Sequence, residues 1–172
     1  KVSDDWLELL QLVCYAGRLG ANVDFLSAKK EVHCSTMQSA IQRLKDEYLI
    51  RIIDENKIEA LHPVRAQIVF DTICLQTGTT EKDIVFKTVP CVESKNIRII
   101  LLDYFSQQPC NLDDLHQLSQ CEFTDWIGYA SAIKTMLWLD AKRYVDCNMA
   151  VIQNLIKKRG KGWLCFLPLD LS

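Results

Sequence analysis

The stretch Lys57–Ile73, KIEALHPVRAQIVFDTI, decides how this chain is read. Ile58, Ala60 and Leu61 suit a strand returning from a turn. Pro63 suits the first position of a helix, where its missing N–H costs nothing, and Val64–Leu75 continue that helix. His62 therefore stands between strand and helix. A histidine there has three readings: a structural group bonded to backbone at the helix start, a metal ligand, or a hydrogen-bond donor to a nucleotide phosphate. Arg65, in the first helical turn, is a second candidate for meeting a phosphate or a carboxylate, or else a solvated helix residue.

Working upstream, Leu49, Ile50, Ile52 and Ile53 form the outgoing strand, and Asp54, Glu55 and Asn56 a polar turn, so Leu49–Leu61 reads as a β-hairpin. Three helical segments precede it. Ser3–Leu19 carries apolar residues around most of its circumference, has Asp4 and Asp5 near its start, and meets Gly20 at its end. Val23–Val32 is a short second helix with Asp24 as its cap. The third is opened by an S-x-x-Q capping box, Ser35 and Gln38, and repeats Met37, Ala40, Ile41, Leu44 and Tyr48 at helical spacing. Three helices and a two-stranded wing make the winged-helix plan.

Gly78 and its neighbours break the pattern, giving a domain boundary that separates 1–76 from 77–172. Downstream the chain reads as helices only: Thr80–Val89, Glu93–Gln108, a segment capped by Asn111, Thr124–Tyr144 with a stripe of Trp126, Ile127, Ala130, Ile133, Leu137 and Tyr144, and a last one capped by Asn148. Paired helices with short turns imply a helical bundle or the first pairs of an α-solenoid. The fold expected is mainly α, a winged helix followed by a helical domain. Trp126, Trp138 and Trp163 are read as core or interface anchors.

The composition constrains the chemistry. The 172 residues are 49% hydrophobic and 24% charged with a net charge of −2, enough apolar material for a real core. No run of 18 apolar residues occurs, so no membrane-spanning helix is expected. Lys1 is not a natural start, and the chain reads as a piece of a longer, cytoplasmic protein. Its eight cysteines include no two within ten residues, so no zinc knuckle is expected and reduced thiols are. None of the six glycines lies in a phosphate-cradling G-x-x-x-x-G-K-[ST], and no paired carboxylates or nucleophile–base set stands out. Neither a catalytic residue nor a metal ligand is assigned. A winged helix also raises DNA binding. From Ser35 to Tyr48, however, Arg43 and Lys45 are balanced by Asp46 and Glu47, a poor footprint for phosphates.

The order helix, helix, capped helix, hairpin and then LHPVRAQIV resembles the winged-helix domain of STAND signalling NTPases, which include plant resistance NLRs, apoptotic adaptors and bacterial antiviral STAND proteins. In that family the hairpin ends in Met-His-Asp or Leu-His-Asp before a helix. Leu61 and His62 match the first two positions, and Pro63 departs from the third. The resemblance covers about residues 1–76 and implies that His62 senses nucleotide. It also implies ATP or ADP with magnesium held by a neighbouring P-loop domain of the parent protein, and no cofactor in this chain itself. Residues 80–172 would be the family's helical arm, on order alone. The function expected is a non-catalytic regulatory module that couples nucleotide state and target sensing to oligomerisation, in antiviral or immune signal transduction. Its partners would be that P-loop domain and other protein surfaces or further copies of itself. The alternatives are a DNA-binding transcriptional regulator with a helical dimerisation or ligand domain, and a winged-helix scaffold without nucleotide.

Overall fold

A computed structural model describes residues 5–32, 36–107, 111–123 and 125–139, together with Gln153 and Lys157. Within them the protein is mainly helical, with one small sheet. The order is α1 (Asp5–Arg18), β1 (Val23–Asp24), α2 (Phe25–Glu31), α3 (Met37–Asp46), β2 (Ile50–Asp54), β3 (Lys57–Ala60) and α4 (Pro63–Thr77). These are followed by α5 (Glu81–Thr88), a 3₁₀ turn at Val89–Cys91, α6 (Ser94–Gln107), α7 (Leu112–Gln120) and α8 (Trp126–Leu139).

Helix α1 is the centre of the molecule. Every residue from Leu9 to Ala16 is buried, so the helix is covered all round. It packs on α4 most extensively, then on α5, β3 and α3. Gly17 makes the contact with β3 possible: a Cβ there would lie 2.5 Å from the Cβ of Ala60. Gly20, with φ of 72°, takes the left-handed conformation that ends the helix.

The sheet has the order β1-β3-β2, all antiparallel. It holds one strand more than the expected two-stranded wing. Val23 and Asp24, expected inside a helix, pair instead with Ile58 and Lys57. Asp24 is still the cap of α2, its carboxylate accepting the Ser27 N–H at 2.8 Å, so the helix starts two residues later than Val23. A β-branched residue ahead of a capping residue serves both elements at once. In the β2–β3 hairpin Asp54 pairs with Lys57 across a two-residue turn, and the register shifts between Ile52 and Asp54, a bulge at Ile53.

Two boundaries of α3 differ from expectation. Thr36 occupies its cap position without a side-chain cap bond, while Ser35, the expected cap, lies outside the described residues. The helix also stops at Asp46 and not near Tyr48. The N–H groups of Tyr48 and Leu49 return to the carbonyls of Lys45 (3.0 Å) and Leu44 (2.9 Å), closing a Schellman turn. Tyr48 takes the left-handed position at φ 54°, where glycine is usual, and its side chain is exposed. A stop signal without glycine is hard to read from composition.

The later helices are built from local signals. Thr80 with Asp83 and Asn111 with Asp114 form reciprocal capping boxes at α5 and α7. In α8 the buried face is Gly128, Tyr129, Ala132, Ile133, Thr135 and Met136. The expected stripe is therefore rotated: Ile133 faces inward, whereas Trp126 and Ile127 are exposed, as is Trp138. Tyr144, Asn148 and Trp163 lie outside the described residues. The core runs without interruption from Leu9 to Met136, and α6 packs on α8. Helix α4 ends at Thr77, beside the boundary expected at 76/77. Contacts cross that point: Val23 bridges to Val92, and Lys57 pairs with Glu93 at 2.8 Å. No helix among the described residues is long and apolar enough to cross a membrane.

Candidate functional site

His62 is the N-cap of α4. Its backbone is extended (φ −154°, ψ 131°), its carbonyl accepts the first helical bond from Ala66 at 2.9 Å, and its ring Nδ1 accepts the Val64 N–H at 3.2 Å. A ring nitrogen that accepts carries no proton. The capping bond therefore selects the tautomer with hydrogen on Nε2 and fixes how the ring sits. His62 is exposed, so Nε2–H is left as a donor toward whatever covers this end of the helix. Pro63 occupies the first helical position. The capping is done by the imidazole itself.

Arg65 lies in the same first turn and is also exposed. Its charge reaches inward to a small extent: burial pushes the Cys14 thiol up to about 12, and Arg65 weakly opposes that shift. The structure thus brings the two candidate residues together at one helix start. His116 is separate, on the exposed side of α7 beside Gln120, and His33 lies outside the described residues. Among the described residues no group of three His, Cys, Asp or Glu side chains could hold a metal. Cys14, Cys74, Cys91 and Cys121 are free thiols.

A second polar assembly lies inside the molecule, where sequence reasoning did not look. Arg18, at the end of α1, donates to Asp103 of α6 at 2.7 Å and to Glu81 of α5. Its guanidinium lies over the ring of Tyr15 at 4.2 Å and of Phe70 at 5.3 Å. The Arg18 side chain is 10% exposed and its two carboxylate partners about one-third exposed. One cation thus ties α1, α4, α5 and α6 together. The partners are 63 and 85 residues away in sequence, and no short motif could have marked them.

Between the sheet and the later helices lies a cleft of about 300 Å³, lined among others by Asp24, Lys57, Glu93, Phe123 and Asp125. Its charged groups are largely engaged. Glu93 accepts from Lys57 and Lys95, hydrogen bonds that hold its carboxyl below the usual range, and Asp125 accepts the Gly128 N–H at 2.7 Å.

Most of the charged groups on the exposed face of α3 are paired locally. Arg43 pairs with Glu47 at 3.0 Å and lies over the Trp6 ring at 4.4 Å, while Gln42 bonds Asp46 at 2.8 Å. Few side chains remain to release counterions from a duplex. Random double-stranded DNA is expected to bind more weakly than about 10⁻⁴ M at physiological salt, read by fluorescence anisotropy. Micromolar binding that falls steeply with salt would restore the DNA-binding reading.

No known protein family, curated protein or solved structure matches the chain.

Proposed function

We propose that this chain is a non-catalytic regulatory module of a STAND-type NTPase. In this reading residues 1–76 are a winged-helix domain and residues 77–172 the helical arm that links it to a sensor. The observation that carries the proposal is His62: exposed at the hairpin-to-helix junction, with Nδ1 engaged by its own capping bond so that Nε2–H remains a donor. A donor fixed in this way suits a terminal phosphate oxygen of a nucleotide held by a neighbouring P-loop domain. ATP or ADP and its magnesium would belong to that domain. His62 contributes one donor and Arg65 a nearby positive charge. Losing the phosphate would release the module, and the released state would oligomerise.

The element order α1-β1-α2-α3-β2-β3 and the sheet order β1-β3-β2 support the winged-helix reading. The internal pairing on α3 weighs against the DNA-binding alternative.

The test separates the two jobs of His62. His62→Ser keeps a capping oxygen and removes the imidazole donor, whereas His62→Ala removes both. In the parent protein each variant should speed nucleotide exchange about tenfold or more, the effect of losing a charge-assisted bond of roughly 1.5–3 kcal/mol. In the present chain only His62→Ala should lose stability, about 1 kcal/mol for a missing cap. Wild-type exchange in the serine variant would reduce His62 to a capping residue.

A further inference from the structure

We draw no further inference here: the strongest candidate, the cleft between the sheet and the starts of α6 and α8, carries nothing, because Lys57 and Glu93 are paired with each other, Asp24 and Asp125 accept the N–H groups of Ser27 and Gly128 at the starts of α2 and α8, and nothing in the structure points to a ligand for it.

Discussion

Arg18→Met is expected to lower the stability of the chain by about 2–3 kcal/mol, measured as the shift of a urea denaturation curve. Methionine fills a similar volume and keeps an apolar contact with Tyr15 and Phe70, so the loss is not mainly one of packing. It comes from the carboxylates of Glu81 and Asp103, which converge on one nitrogen of the guanidinium and would be left facing each other without it. Both are about one-third exposed, and water reduces their repulsion, which keeps the expected figure below that for a fully buried pair. The arithmetic can be checked by neutralising them. Adding Glu81→Gln and Asp103→Asn to the Arg18→Met background should recover at least half of the loss, because the like charges then disappear. Amide exchange should rise first in α5 and α6, the elements that Arg18 ties to α1. A loss below about 0.5 kcal/mol would mean that the cluster is an ornament on an already sufficient core.

The second large effect concerns the close approach of α1 to β3 at Gly17. Gly17→Val should cost roughly 3 kcal/mol, read from the same denaturation curves, because its first side-chain carbon would lie 2.5 Å from the Ala60 methyl. The smaller change Gly17→Ala sets a helix-propensity benefit of about 1 kcal/mol against the clash. Its net cost should be near 1–2 kcal/mol. Ala60→Gly removes the obstructing carbon, and the Gly17→Ala/Ala60→Gly pair should be more stable than Gly17→Ala alone. If the pair is merely the sum of the two single losses, α1 and β3 do not meet as closely as described.

The sequence made the local features legible and left the long-range ones dark. Asp24, Pro63 and Asn111 announce helix starts because a cap is a contact between residues two or three apart. The strand Val23–Asp24 has no such signature. Two residues form a strand only because Ile58 and Lys57 come to lie beside them, more than thirty positions later. Tyr48 hid the end of α3 by taking a conformation usual for glycine. Helix α8 shows the weakness of a periodicity argument in a segment rich in apolar residues: several stripes can be drawn through it, and only the packing on α6 selects the one containing Tyr129 and Met136. At the candidate site, His62 was legible from its position between strand and proline. The bond to Val64 that sets its tautomer was not, since a histidine in sequence does not say which nitrogen accepts. The Arg18 cluster was invisible for the same reason as β1.

The burial of α1 also bears on the order of events as the chain leaves the ribosome. Leu9, Leu10, Leu12 and Val13 are made early, yet the surfaces that cover them belong mainly to α4 and α5, some 50 to 80 residues later. Until those segments emerge, this largely apolar helix has mainly α3 and β3 among its later partners to lie against. Closing such a span is the slow kind of contact, because the entropy of the intervening chain is lost before any packing is made. Residues 5–18 are therefore where a nascent chain is most exposed to aggregation and to capture by a chaperone.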